Sequence, residues 1–243
     1  MTAIAVIGGT GMNQWPGLSV QRVQPVGTPY GEASAPLTYG RIGGIDVIFL
    51  PRHGEGHRIP PHLINYRANI RALKDAGARA VIAIAAVGGI ARSMRPAAVA
   101  VPDDVIDYTW GREHTFADGA ALQHVDFSAP YAPALRRALL AGAKRAGVKL
   151  VDGGTMGVTQ GPRLESPAEI ARLRRDGCAM VGMTGMPEAA LAAELELDYA
   201  ALAVSVNWAA GLGSGDIHGE IERTVADGMH KVRAVLAKAL PGL

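Results

Sequence analysis

The sequence has one cysteine and lacks a long apolar run. With only Cys178 among 243 residues, no disulfide can form within the chain, which fits a reducing compartment. We interpret Cys178 as a small buried hydrophobic residue, because it stands in an apolar segment. No stretch approaches the roughly 18 apolar residues of a membrane-spanning helix, so none is expected. The first residues suggest a buried strand entering a glycine turn rather than a signal peptide, so we expect a cytoplasmic protein.

An excess of charge of one sign is also missing. The chain has 24 Lys and Arg against 22 Asp and Glu, for a formal net charge of +2, and its basic residues are not clustered. A nucleic-acid partner is therefore not expected, since such surfaces carry a basic patch or stripe. His53 and His57 are four residues apart, but Pro51, Gly54 and Gly56 argue against a helix there. The sequence therefore predicts no metal site, and no G-x-S-x-G elbow suggests a covalent serine mechanism.

Short apolar runs alternate with amphipathic stretches along the chain. Strands are expected at residues 3–7, 46–50, 80–87, 99–106, 151–160, 179–183 and 199–207. Helices are expected at 63–76, 133–146, 166–177, 187–196 and 220–240, with Ser166 as an N-cap followed by Pro167. This alternation predicts an α/β fold around a largely buried sheet. No linker or repeat interrupts it, so we expect one domain over residues 1–243.

A glycine turn follows the first expected strand. Gly8, Gly9 and Gly11 allow several backbone N–H groups to point at one anion, and Thr10 adds a hydroxyl donor. Two alternatives remain: a plain structural turn, and the start of a dinucleotide fingerprint in an NAD-dependent oxidoreductase. The dinucleotide motif needs a third glycine and an immediate helix, whereas Pro16 stands where that helix would run.

Three further strand ends or helix entries carry polar residues. Arg52 and His53 directly follow a strand, and arginine suits bidentate binding of phosphate, although a surface pair would look the same. Glu165 precedes a capped helix, where an acid is also favoured by the helix dipole. Thr184 and Asn207 follow two more strands, and Asn207 could equally form a turn. Ligands bind beyond the carboxyl ends of strands in open α/β sheets, so these residues are candidates for one site.

Taken together, five motifs resemble the trimeric purine nucleoside phosphorylases, a family that includes the methylthioadenosine phosphorylases. The motifs lie in this order at residues 7–11, 52–54, 60–70, 160–163 and 183–188, and the resemblance extends over about residues 4–240. It implies a single α/β domain with a mixed central sheet flanked by helices. It also implies a homotrimer that needs no cofactor, with inorganic phosphate as a co-substrate.

The same resemblance implies a phosphate site and the ribose contact. The phosphate ligands would be Thr10, Arg52, His53, Thr184 and the main chain at Ala85 and Ala86. Methylthioadenosine phosphorylases have a threonine where Ala85 stands, so a hydroxyl is lost here. Met183 would pack under the ribose. Arg52 and His53, together with Asn207, are the expected catalytic residues.

The base pocket departs from the adenosine-type members. Glu165 replaces a serine, and Asn207-Trp208-Ala209 replaces Asp-x-Asp, and both departures resemble the 6-oxopurine phosphorylases. A 6-oxopurine has a donor at N1–H and an acceptor at O6. A carboxylate accepts only, so Glu165 suits N1–H, whereas the amide of Asn207 can donate to O6 or N7. We expect Glu165, Asn207, Trp208 and Ala209 to contact the base.

The 5' group of the nucleoside is the remaining choice. The resemblance is strongest to the branch that cleaves S-methyl-5'-thioinosine to hypoxanthine and S-methyl-5-thioribose 1-phosphate. Met12, Ile217 and Ile221 could form an apolar wall for the methylthio group, whereas His218 could serve a 5'-hydroxyl. An inosine/guanosine phosphorylase is therefore the nearest alternative, and a non-catalytic nucleoside-binding protein is a further one. His62 is expected to come from a neighbouring subunit of the trimer.

Overall fold

The computed structural model of the protein describes residues 3–117, 119, 124–213 and 217–243. Its strands are β1 (Ala3–Gly8), β2 (Ser19–Gln24), β3 (Gly27–Thr28), β4 (Gly31–Glu32), β5 (Leu37–Ile42), β6 (Ile45–Pro51), β7 (Ala78–Gly89), β8 (Val99–Val101), β9 (Asp104–Asp107), β10 (Leu150–Asp152), β11 (Thr155–Val158), β12 (Cys178–Gly182) and β13 (Asp198–Trp208). Its α-helices are α1 (Tyr66–Asp75), α2 (Pro133–Ala146), α3 (Pro167–Arg175), α4 (Glu188–Glu194) and α5 (Ile217–Ala239).

Eleven strands form one mixed sheet, and helices cover its two faces. The main path runs β10-β8-β13-β7-β1-β6-β5-β2, with β12, β11 and β9 joined to β7 in a branch. The central strands β6, β1, β7 and β13 are mutually parallel, whereas β12 runs antiparallel to the end of β7. One apolar layer packs with α1 and α4 and the other with α2 and α5. The predicted α/β fold with a mixed, flanked sheet is confirmed.

Local sequence signals explain the helix starts. The side chain of Ser166 accepts from the backbone N–H of Glu169, whose carboxylate accepts from the Ser166 N–H, so a complete capping box begins α3. Asn65 caps α1 by accepting from the N–H of Ala68. This helix begins at Tyr66, three residues later than expected, and Leu63 is 66 % exposed rather than buried.

Two other expectations about elements were wrong, and two strands were not predicted. The expected strand 99–106 is divided into β8 and β9 around Pro102, whose nitrogen has no hydrogen to donate to a ladder. The expected strand 151–160 is divided into β10 and β11 because Gly153 and Gly154 take positive φ values of 88° and 103°. The antiparallel strands β2 and β5 were not predicted, since the residues of β2 are all exposed and show no apolar alternation.

Several compositional expectations can be compared with the structure. Cys178 is buried in a small apolar cluster with Ile170 and Leu173, as interpreted. Within the described ranges, no helix is long and apolar enough to cross a membrane. Over the same residues, no group of three His, Cys, Asp or Glu side chains could hold a metal ion.

Candidate active site

The carboxyl ends of four parallel strands meet at one cavity of about 540 Å³. Because β6, β1, β7 and β13 are adjacent and parallel, the residues that follow them or end them share one edge of the sheet. The loop after β12 joins them, since β12 pairs with the last two residues of β7. The predicted residues that line the cavity are Thr10, Arg52, His53, Ala86, Glu165, Met183, Thr184, Asn207 and Ala209.

The glycine turn after β1 forms one wall of the cavity. A Cβ on Gly9 would lie 2.4 Å from the carbonyl oxygen of Ile84 and 3.0 Å from an Nη atom of Arg52, so only glycine fits there. The turn closes with a hydrogen bond of 2.9 Å from the Met12 N–H to the Gly9 carbonyl. The next element is the strand β2 and not a helix, so the turn lacks the helix N-terminus that a dinucleotide site uses.

Arg52 is held by a buried network. Its Nε and Nη2 donate to the two carboxylate oxygens of Glu188 at 2.7 and 2.8 Å, and its Nη1 donates to the Ile84 carbonyl at 2.8 Å. The hydroxyl of Tyr199 also donates to Glu188, at 2.8 Å. Burial opposes the charged form of Arg52, but the Glu188 carboxylate outweighs burial and keeps the pKa of the guanidinium above its usual value. One N–H on each Nη atom is left for a ligand.

The imidazole of His53 has a defined tautomer. Its Nδ1 lies 2.8 Å from the carbonyl oxygen of Ile59, and a carbonyl only accepts, so Nδ1 carries the hydrogen. Burial, reinforced by the charge of Arg52, lowers the pKa of His53 to about 4. His53 is therefore neutral at pH 7 and its Nε2 is an acceptor. The ring of His57 lies 4.2 Å from it, centroid to centroid.

The part of the cavity around Glu165 and Asn207 is built from loops and a strand irregularity. Glu165 lies between β11 and α3, where the hydroxyl of Thr159 donates to its carboxylate at 2.5 Å. In β13 the pairing with β7 shifts between Ser205 and Asn207, and this bulge turns both Val206 and Asn207 towards the cavity. The Nδ2 of Asn207 donates to the Trp208 carbonyl at 2.6 Å, so one amide N–H and Oδ1 stay available.

Two buried contacts fix the loops between the cavity's ends. Met183 packs against Gly161, where a Cβ would lie 2.6 Å from its sulfur. Arg112, which is 8 % exposed, donates to the carbonyls of Met186 at 2.6 Å and Gln160 at 2.8 Å. It therefore ties the loop after β11 to the loop after β12. Burial lowers the pKa of Arg112.

The apolar wall at the remaining side comes from α5. Ile217 and Ile221 both line the cavity, because residues four apart share one face of a helix. His218 is exposed and does not line the cavity, since one residue along a helix turns the side chain by about 100°. Met12 is fully buried in the apolar core against which Ile221 packs, and it does not line the cavity itself.

Three other expected contacts also lie outside the cavity lining. Trp208 follows the bulge in β13. Its side chain packs towards Gly213, and its backbone N–H donates to the carboxylate of Glu220 at 3.0 Å. Ala85 lies within the core, because neighbouring residues of a strand face opposite ways and Ala86 is the one at the cavity. The prediction for Ala85 concerned only its main-chain groups, so the position of its side chain in the core does not test that prediction. His62 does not line the cavity, and its Nδ1 is buried without a partner among the described residues.

Sequence reasoning missed three residues that organise the site: Glu188, Arg112 and Thr159. Glu188 was part of a recognised motif but received no role. Its signal was a carboxylate beginning an otherwise apolar helix, Glu-Ala-Ala-Leu-Ala-Ala-Glu, which could have been explained by the helix dipole alone. No sequence feature pairs it with Arg52, because 136 residues separate them.

The fold and the cavity place the protein in a known class. The family model described as the Phosphorylase superfamily matches residues 3–241, and the chain belongs to this family.

Relatives and solved structures agree with that assignment. A protein of Pseudomonas syringae pv. tomato named "Probable S-methyl-5'-thioinosine phosphorylase" is 54 % identical over 99 % of each chain. The "6-oxopurine nucleoside phosphorylase" of Pyrococcus furiosus is 41 % identical over 99 % of this chain and 93 % of its own. A methylthioadenosine phosphorylase from an antarctic soil metagenomic library superposes with a TM-score of 0.93 at 32 % identity, over 99 % of this chain and 85 % of its own.

Proposed function

We propose that the protein cleaves S-methyl-5'-thioinosine with inorganic phosphate, giving hypoxanthine and S-methyl-5-thioribose 1-phosphate. One observation carries this proposal: a single cavity is lined by Arg52 and His53 at what we call the phosphate end, by Glu165 and Asn207 at what we call the base end, and by an apolar wall of Ile217 and Ile221. Family membership and the named relatives support phosphorolysis of a purine nucleoside. The protein would act in nucleoside salvage, as a cytoplasmic homotrimer without a cofactor.

Phosphate binds where the strand ends converge. Thr10 and Thr184 donate through their hydroxyls, the main chain at Ala86 donates an N–H, and Arg52 donates through its remaining Nη hydrogens. Monohydrogen phosphate has one hydroxyl, and this hydroxyl donates a hydrogen bond to the Nε2 of His53. The hydrogen bonds of Arg52 to Glu188 and of His53 to the Ile59 carbonyl fix both side chains before phosphate binds. Such positioning lowers the activation barrier, because the groups need not be ordered during the reaction.

The reaction is a displacement at C1' of the sugar. The bond between C1' and N9 stretches, and its electron pair goes to the purine while the ribose gains positive charge. The phosphate dianion stabilises that charge and one of its oxygens then bonds to C1' from the opposite face. Met183 lies between the phosphate and base ends and packs under the ribose.

The base end stabilises the departing purine. Glu165 accepts from N1–H, and its carboxylate is kept in place by Thr159. Asn207 donates its free N–H to O6 or N7, so it pairs with negative charge that develops only as the bond breaks. Adenine has an acceptor at N1, which mismatches the carboxylate of Glu165, and a donor at N6, which mismatches the N–H of Asn207.

The apolar wall favours the methylthio group over a hydroxyl. A 5'-hydroxyl facing Ile217 and Ile221 would be buried without a hydrogen-bond partner from these side chains, which costs about 1–3 kcal/mol. A methylthio group is apolar and gains from the same contact.

A side-by-side assay tests the proposal. Release of free base would be followed from S-methyl-5'-thioinosine, inosine and S-methyl-5'-thioadenosine, with and without inorganic phosphate. We expect phosphate-dependent cleavage, fastest for S-methyl-5'-thioinosine. Cleavage without phosphate, or a preference for the adenine nucleoside, would contradict the proposal.

A further inference from the structure

The phosphate end of the cavity contains a cation whose charge is already paired. Arg52 is 1 % exposed and Glu188 is 0 % exposed, and two hydrogen bonds of 2.7 and 2.8 Å join them. Phosphate sites often rely on arginine for net positive charge. Here the carboxylate sits on the same guanidinium, so the pair is close to neutral as a whole.

Among the described residues, the other groups at this end add no buried positive charge. Thr10 and Thr184 are neutral, and the Nδ1–H of His53 donates to the Ile59 carbonyl, so the neutral ring accepts at Nε2. Burial and the charge of Arg52 lower the pKa of His53 to about 4, so the ring carries no charge at pH 7. Arg58 also lines the cavity, but it is exposed and its Nε donates to the Glu55 carbonyl, so water screens its charge.

A neutral set of donors has a consequence for the reaction. Phosphate has to keep its negative charge available to the ribose as that sugar becomes cationic. An uncompensated arginine would hold the dianion more tightly before reaction, yet it would withdraw that charge from C1' in the transition state. Only interactions that strengthen in the transition state accelerate a reaction.

We propose that Glu188 is a positioning residue that fixes Arg52 and cancels its charge, so that the site binds phosphate through hydrogen bonds without net positive charge. This inference rests on the proposed function, because it requires phosphate in this cavity. Glu188 acts through Arg52, and the hydroxyl of Tyr199 fixes the Glu188 carboxylate by donating a hydrogen bond to it.

The first test is Glu188→Gln, which removes the charge and keeps the shape. We expect the dissociation constant of inorganic phosphate to fall at least threefold and kcat to fall at least tenfold. A residue with a merely structural role would weaken phosphate binding and kcat together. Weaker phosphate binding in soluble, folded Glu188→Gln protein would overturn the proposal.

A second pair of variants tests the same proposal in case the Glu188→Gln protein does not fold. Arg52→Gln leaves the Glu188 carboxylate unpaired beside the dianion, and we expect phosphate binding at pH 8.5 to weaken at least 100-fold by calorimetry. The double variant Arg52→Gln with Glu188→Gln restores neutrality and should bind phosphate at least tenfold more tightly than the single variant. If only the arginine donors mattered, the double variant would be no better.

Two controls separate this inference from the proposed function. Asp152→Asn removes one negative charge outside the cavity, from a residue paired with Arg136, and should leave phosphate binding and kcat unchanged. The unaltered protein is assayed first. If it shows no phosphate-dependent cleavage, the proposed function fails, whereas cleavage with the opposite response of the variants contradicts the role of Glu188 alone.

Discussion

The two ends of the cavity are held in different ways. At the phosphate end, Arg52 and His53 directly follow a central strand, are at most 5 % exposed, and have partners behind them. At the base end, Glu165 lies on a loop and depends on one hydroxyl, while Asn207 occupies a bulge. The phosphate end is thus rigid through the sheet, and the base end is set by few local contacts. We infer that the reaction type is tied to the fold, whereas base choice can change with few residues.

The largest effect is expected where the base end acts on the transition state. Asn207→Ala should lower kcat about 100- to 1000-fold, because it removes polar groups that stabilise the leaving purine. The dissociation constant of phosphate should stay within about twofold of its usual value, since Asn207 belongs to the other end. Single-turnover cleavage and phosphate titration measure the two quantities. An unchanged kcat would remove Asn207 from the mechanism.

The phosphate end predicts a pH effect on stability. The pKa of His53 is about 4 in the folded protein, against an ordinary value of 6.5 for histidine. Between these values the unfolded chain binds more protons, so the free energy of unfolding falls as the pH drops from about 6.5 towards 4, by up to about 3 kcal/mol. Above pH 6.5 this contribution is constant. Urea unfolding at several pH values measures the slope.

Two variants separate the residues that contribute to this slope. His57 also has a pKa lowered by burial, and it changes stability in the same direction. His53→Asn should flatten the profile between pH 6.5 and 4 more than His57→Asn does. A profile for His53→Asn as steep as that of the unaltered protein would show that His53 is not buried in its neutral form.

The same contrast explains what the sequence could and could not predict. The strand ends that place Thr10, Arg52 and Asn207 were predictable, because buried parallel strands are apolar runs with polar residues after them. The pairing of Arg52 with Glu188 was not, since it depends on a contact across 136 residues. The side-chain directions of Trp208 and His218 could not be predicted either, because they depend on a bulge in β13 and on the residue at which α5 begins.

Base choice should respond to a single substitution at Glu165. Glu165→Gln presents an amide that can turn either its oxygen or its nitrogen towards N1, so the preference for N1–H weakens. We expect kcat/KM for S-methyl-5'-thioinosine to fall about tenfold or slightly more, consistent with about 1–2 kcal/mol for one mismatched group. The rate with S-methyl-5'-thioadenosine should not fall, so the ratio of the two substrates reports the change.

A double substitution extends that comparison. Replacing Asn207 and Ala209 with aspartates gives acceptors for a 6-amino group, and it should move the preference further towards adenine nucleosides. Thr159→Val removes the hydroxyl that holds Glu165 and serves as a milder variant of the same end. If the substrate ratio is unaffected by every one of these changes, base choice is set elsewhere.

The smallest effect concerns the 5' end, where α5 supplies an apolar wall. Ile221→Ala removes part of the surface that would cover the methylthio group, at a loss of about 1 kcal/mol. The preference for S-methyl-5'-thioinosine over inosine should therefore fall about fivefold in kcat/KM, with little change for inosine itself. His218→Ala is the matched control on the same helix, and it should leave the preference unchanged because His218 points away from the cavity. A loss of inosine cleavage in His218→Ala, with Ile221→Ala unaffected, would instead place a hydroxyl contact at this end and favour inosine as the substrate.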